Sequence, residues 1–103
     1  MRKTPDEIET MAELRRVIDE IDGELITLLA ERLTYIDRAP VLKPREGIAA
    51  NSPSRVADVL AKVRSGSEVA GFDPQVAEGM WQVMIDAMIA REERVMGTEG
   101  MDA

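Results

Sequence analysis

From Met11 to Leu28 the apolar residues Met11, Leu14, Ile18, Ile21, Leu25 and Leu28 recur at alternating steps of three and four, the spacing that lines up one face of an α-helix. No proline interrupts this run until Pro40, and Leu, Glu, Ala and Arg fill most of the remaining positions, so one helix from about residue 10 to about residue 39 is expected. At 1.5 Å per residue that helix is about 45 Å long. A chain of 103 residues is a single domain, residues 1–103, and alone buries only about 60 to 68% of the surface that its unfolded form exposes. Such a chain cannot cover a stripe of that length with its own remaining residues, so a second long helix is expected to pair with it.

The rest of the chain divides at its prolines and glycines. The segment APVLKPREGIAANSP carries Pro40, Pro44, Pro53 and Gly47 without a sustained period, and reads as a loop over about residues 40–52. Ser52 and Pro53 form an N-cap and first-turn pair that opens a second helix, about 53–70, with Val56, Val59, Leu60 and Val63 on one face and Gly71 as its stop. Asp73 and Pro74 repeat that arrangement and open a third helix, about 73–96, whose apolar face carries Ala77, Trp81, Ile85 and Met88. Residues 97–103, GTEGMDA, are expected to fray. The fold class is therefore all-α, a three-helix chain with a long first helix.

Composition narrows the chemistry. With no Cys and no His, the chain has no disulfide, no thiolate zinc site, no thiol nucleophile and no imidazole base, so no metal or cofactor is expected. Catalysis has to come from carboxylates, Arg, Lys, hydroxyls or positioning. A formal charge of −7 and only three aromatic residues lack the basic footprint and stacking surfaces of a nucleic-acid binder. The opening residues hold no apolar signal region, and no apolar run approaches the roughly 20 residues needed to cross a bilayer. A cytoplasmic protein with no membrane partner is the expectation.

Three positions interrupt the apolar stripes with charge. Four residues beyond Leu28 lies Arg32, and the series Arg32, Ile36, Ala39, Lys43 keeps to the same helical face. In the third helix, four residues beyond Met88 lies Glu92. A partly buried charge costs several kcal/mol unless it is paired. Two explanations are open: an internal Arg32–Glu92 ion pair, with long stems snorkelling at frayed stripe ends, or an interhelical pocket in which Arg32 and Lys43 hold an anion and Glu92 serves as an acid. Arg15 precedes Arg32 by 17 residues, about 25 Å along a helix, so the two reach one small ligand only if two copies of the first helix run antiparallel. Arg15 alone also fits a solvated flank beside Arg16.

The run Leu14-Arg15-Arg16-Val17-Ile18-Asp19-Glu20-Ile21-Asp22, the run Leu28-Leu29-Ala30-Glu31-Arg32, and Lys43 eleven residues later resemble the all-helical chorismate mutases of the AroQ class. Lys3-Thr4-Pro5, Pro53-Ser54-Arg55-Val56 and Ile89-Ala90-Arg91-Glu92 are most similar to the subgroup that includes isochorismate pyruvate lyase. The likeness extends over about residues 3–96. It implies an intertwined helical homodimer with paired first helices and two shared sites for a small dianionic substrate. By position, Arg15 is the arginine donated across the interface, Arg32 binds a carboxylate within the chain, and Lys43 meets a carboxylate and the ether oxygen. Glu92 falls where many members carry Gln and some Glu. Two departures stand out: Ser54 occupies the place of a Glu that in several members accepts from the substrate hydroxyl, and Pro53 replaces a cation of some relatives. Arg55 is the nearest charge available in compensation.

The resemblance implies an isomerase that rearranges chorismate to prephenate, a pericyclic step that needs no covalent intermediate, metal or redox cofactor. Arg15 and Arg32 clamp the two carboxylates, and Lys43 and a protonated Glu92 stabilise charge on the breaking ether oxygen. Two alternatives share the scaffold: an isochorismate pyruvate lyase that releases salicylate and pyruvate with the same cations, and a non-catalytic helical dimerisation or regulatory module.

Overall fold

The computed structural model describes residues 2–103. A 3-10 turn at Pro5–Glu7 is followed by four α-helices: α1 (Met11–Ile36), α2 (Ala39–Glu46), α3 (Pro53–Ala70) and α4 (Pro74–Met96). The described residues form no strand beyond a single parallel bridge between Ile48 and Met101. They fall into two compact units, which divide after Tyr35.

The first unit is α1 with the residues that precede it. Thr10 caps the helix by accepting the Glu13 amide at 3.2 Å, and a Thr followed three residues later by a Glu is the capping-box sequence. Arg2 binds Glu24 through both terminal nitrogens, at 2.9 and 3.3 Å, and Lys3 lies 3.2 Å from Glu13. The helix runs from Met11 to Ile36, three residues short of the expected end. Pro40 explains the stop, because it has no amide proton to give the Ile36 carbonyl and its ring crowds that oxygen. No residue of α1 is buried. Its stripe is open, with Met11 58%, Leu25 51% and Leu28 60% exposed.

The second unit, Ile36–Ala103, makes its own core. The segment 40–52, expected as loop, holds the short helix α2. Proline is tolerated in the first turn of a helix, where Pro40 stands, and Gly47 closes α2 in the left-handed conformation at φ 70°. The Ile48 amide donates to the Lys43 carbonyl at 2.9 Å and the Gly47 amide to the Pro44 carbonyl at 3.3 Å, the paired bonds of a Schellman end. Gly71 ends α3 the same way, at φ 82°. Asp73 caps α4 by accepting the Gln75 amide at 2.9 Å. A three-residue connection makes α3 and α4 antiparallel neighbours, and α2 packs on α4 as well. The face of α4 named by its spacing turns inward: Ala77 and Ile85 are buried, Trp81 and Met88 half-buried. Ala49 and Ala50, just after α2, complete the buried apolar set.

Residues 97–103 do not fray; they return to the start of α3. The Met101 amide donates to the Gly47 carbonyl at 2.8 Å, and the Met101 carbonyl accepts from the Ala49 amide at 2.9 Å. Ser52 holds the N-cap position of α3 but makes no capping bond of its own. Asp102 caps the helix instead, its Oδ1 accepting the Ser54 amide at 3.0 Å. Local spacing could not reveal this, because the partners lie 48 residues apart.

Candidate active site

The site residues begin with Glu92, on the inward face of α4 one turn beyond Met88. It is 4% exposed, and α2 brings Lys43 to meet it. Lys43 Nζ lies 2.7 Å from Glu92 Oε1 and donates to the Ala50 carbonyl at 2.8 Å. A single helix through Ile36 and Ala39 is not what places Lys43, because the chain turns at Asp37 and Arg38 before α2 begins. The partner of Glu92 in the structure is thus Lys43, in place of the internal Arg32–Glu92 pair considered from the spacing.

The geometry leaves binding capacity unused. An ammonium has three protons; one goes to Ala50 and one side faces Glu92. Although Glu92 Oε1 is in ionic contact with Lys43, it is buried without a partner in hydrogen-bond geometry. A buried polar atom in that condition needs an explanation. The ammonium 2.7 Å away supplies one, and the third Lys43 proton is left for a ligand oxygen.

The other predicted residues lie on α1, in the first unit. Arg32 is half-buried and Arg15 exposed, and neither forms an ion pair among the described residues. Arg55 is engaged locally with Asp58 at 2.6 Å. This contact and the Lys62 contact hold Asp58 below the ordinary carboxylate range, the hydrogen bond from Lys62 first and that from Arg55 second. Arg91, next to Glu92, forks onto Asp37 with bonds of 2.6 and 2.9 Å. That bidentate pair, whose hydrogen bonds push the Asp37 carboxyl down, ties the turn before α2 to α4, the helix of Glu92.

Ser54 donates its hydroxyl to Asp102 Oδ1 at 2.9 Å. A carboxylate is therefore present at the start of α3, carried by residue 102 and not by residue 54. The Ser52 hydroxyl, the Ser54 amide and the Ser54 hydroxyl, in that order, draw the Asp102 carboxyl below its ordinary range. Sequence reasoning singled out neither Asp102 nor the Ala50 carbonyl. The first stands in a segment expected to fray, and the second is a backbone group that no residue type marks.

With helices, stripe and charge pair in place, comparison with known proteins identifies the class. The chain belongs to the chorismate mutase type II family, which matches residues 14–93, a span that includes Arg15, Arg32, Lys43 and Glu92. It is 32% identical over 90 residues to the isochorismate pyruvate lyase of Pseudomonas aeruginosa, covering 87% of this chain and 88% of that one. It is 30% identical over 79 residues to the chorismate mutase of Methanocaldococcus jannaschii, covering 77% of this chain and 80% of the other. A bifunctional chorismate mutase/prephenate dehydratase from Aquifex aeolicus is 29% identical over 91 residues, which are 85% of this chain and 25% of that longer protein. No helix among the described residues is long and apolar enough to cross a membrane.

Proposed function

We propose that this protein is a chorismate mutase, an isomerase that rearranges chorismate to prephenate by clamping the dianion and stabilising its breaking ether bond. The observation that carries the reading is the Lys43–Glu92 ionic contact, 2.7 Å long with Glu92 buried, Lys43 partly exposed and a Lys43 proton left for a ligand, inside the span that matches the family. In the rearrangement one carbon–oxygen bond breaks as one carbon–carbon bond forms, with no external proton, electron or covalent intermediate. The enzyme has only to hold the compact conformer and to meet negative charge as it grows on the oxygen.

Lys43 faces that oxygen and a substrate carboxylate, Arg32 binds a carboxylate, and Glu92 donates when it carries a proton. Arg15 comes from a second copy of the chain in a homodimer. That assembly is supported by the open stripe of α1, on which Met11, Ile18, Leu25 and Leu28 are all exposed. A run of apolar surface this long on a soluble helix marks an interaction face, and an antiparallel copy of α1 offers a stripe of equal length. The acidic shell of a chain with charge −7 then encloses a local cationic pocket.

The similarity to the lyase favours a second reading, in which the same cations hold isochorismate while pyruvate is eliminated and salicylate is left. Purified protein incubated with each substrate in turn separates them. Prephenate from chorismate supports the mutase, salicylate fluorescence from isochorismate supports the lyase, and turnover of neither overturns both.

A further inference from the structure

We propose that residues 99–103 act as a positioning strap, with Asp102 as its anchor, that holds Lys43 Nζ in place through the backbone of residues 47–52. The role in catalysis rests on the function proposed above; the mechanical link stands on contacts alone.

The flexible Lys43 stem leaves its head free unless polar partners fix it. Two do so, the Ala50 carbonyl, which accepts at 2.8 Å, and Glu92 Oε1, in ionic contact at 2.7 Å. Glu92 is set by α4, a packed helix. Ala50 stands in a non-helical segment, and the backbone on either side of it depends on residues 101–103. Ala49 is buried and its amide donates to the Met101 carbonyl, while the Gly47 carbonyl takes the Met101 amide. A buried backbone amide without a partner costs about as much as a lost hydrogen bond, so the segment keeps this shape only while the strap is docked. On the other side of Ala50, Ser52 is 2% exposed. Its Oγ lies 2.7 Å from both Asp102 Oδ1 and the Ala103 carbonyl and accepts the Ala103 amide at 2.8 Å.

Asp102 anchors the strap. Its Oδ1 gathers the Ser52 hydroxyl together with the amide and hydroxyl of Ser54, and a carboxylate at a helix N-terminus is favoured by the exposed amides there. Gly100 sets how closely the strap lies. At φ 131° it has a backbone that other residues rarely adopt, and a Cβ there would stand 2.6 Å from the Ile48 carbonyl carbon. One methyl group therefore lifts the strap without changing any charge or any proposed substrate contact.

The test compares Gly100→Ala, Asp102→Ala and Asp102→Asn with the wild-type protein. Michaelis parameters on chorismate are measured with helical circular dichroism, and with the rate at which trace acetic anhydride labels Lys43 relative to the exposed Lys62. Gly100→Ala and Asp102→Ala are expected to lower kcat about tenfold while the helices stay intact, and to speed Lys43 labelling several-fold. Asp102→Asn, whose amide oxygen still accepts the Ser54 amide, retains most of the activity. In a Lys43→Ala background, Gly100→Ala has little further effect, since coupled residues are not additive; a strap that merely stabilised the fold would cost the same in both backgrounds. Unchanged kcat and labelling in the folded Gly100→Ala and Asp102→Ala proteins, or a full loss that persists without Lys43, overturns the proposal. If wild type turns over neither substrate, the functional reading fails and the labelling alone decides the strap: accelerated labelling upholds the mechanical link, and unchanged labelling overturns it.

Discussion

The apolar stripes of α1 and α4 follow the same helical period and end in opposite conditions. On α4, which packs against α2 and α3, Ala77, Ile85 and Glu92 are buried. On α1, a longer stripe of larger side chains contributes no buried residue. Periodicity thus tells which face of a helix seeks cover, and only the packed structure tells whether the chain supplies that cover itself. The stripe of α4 also ends in a charge that is paired, whereas the stripe of α1 ends in Arg32, which has no ion-pair partner among the described residues. The two stripes therefore differ in exposure and in the pairing of the charge that ends each of them.

Lys43→Ala strikes the α4 stripe hardest. Activity on chorismate should fall by about two to three orders of magnitude, the scale of losing one preorganised electrostatic donor. Thermal unfolding should also show a loss of roughly 3 kcal/mol, because Glu92 is left as a buried uncompensated charge. Adding Glu92→Gln to that variant should restore stability and not activity. Stability unchanged in the single variant would mean that the pair is not what holds α2 to α4.

On the open region, Arg32→Ala should cost roughly two orders of magnitude in kcat/KM with little change in the melting temperature. An equal loss of stability would show that Arg32 belongs to a packed core. Leu25→Glu tests the stripe itself. For the homodimer proposed above, sedimentation should shift toward monomer, and activity should become dependent on protein concentration. A variant that stays a dimer would place the interface elsewhere.

Glu92→Gln sharpens the role of the buried carboxyl. Gln keeps an oxygen for the Lys43 ammonium and adds an amide donor beside it, so activity on chorismate should stay within about tenfold of wild type, whereas Glu92→Ala, which removes both, should lose about two orders of magnitude. Equal losses in the two variants would remove a donor at this position from the mechanism. The smallest effect concerns the strap. Hydrogen bonds from Ser52 and Ser54 hold the Asp102 carboxyl below its ordinary range, so the anchor is fully made above the unfolded aspartate value and is lost as pH falls through the depressed one. Amide exchange at Ala49 should therefore rise on acidification below about pH 4 before the helices melt, and Asp102→Asn should remove that dependence.

Much of the framework was legible in the amino-acid order. The start of α1 near Thr10, the openings of α3 and α4 at Pro53 and Asp73-Pro74, and the inward face of α4 follow from local rules, because prolines, helical spacing and the Asp73 cap act within a few residues; the cap of α3 does not, since Asp102 supplies it. The same spacing put Glu92 in an apolar face. Short-range reasoning went astray where a local signal had two outcomes. Prolines between residues 40 and 53 read as loop, yet Pro40 stands in the first turn of α2, where a missing amide proton costs nothing. The glycines of residues 97–103 read as fraying, yet Gly100 is what lets that segment lie flat on Ile48.

By itself, then, the sequence determined an all-helical chain, the bounds of its three long helices to within a few residues, the charged breaks at Arg32, Lys43 and Glu92, and the likeness to chorismate mutases. Only the tertiary structure decided that Glu92 meets Lys43, that the Ala50 carbonyl shares the ammonium, and that Asp102 caps α3. Those contacts join residues 49, 7 and 48 positions apart. They are set by where helices and backbone segments come to rest against one another, a matter of distance in space on which helical periodicity is silent.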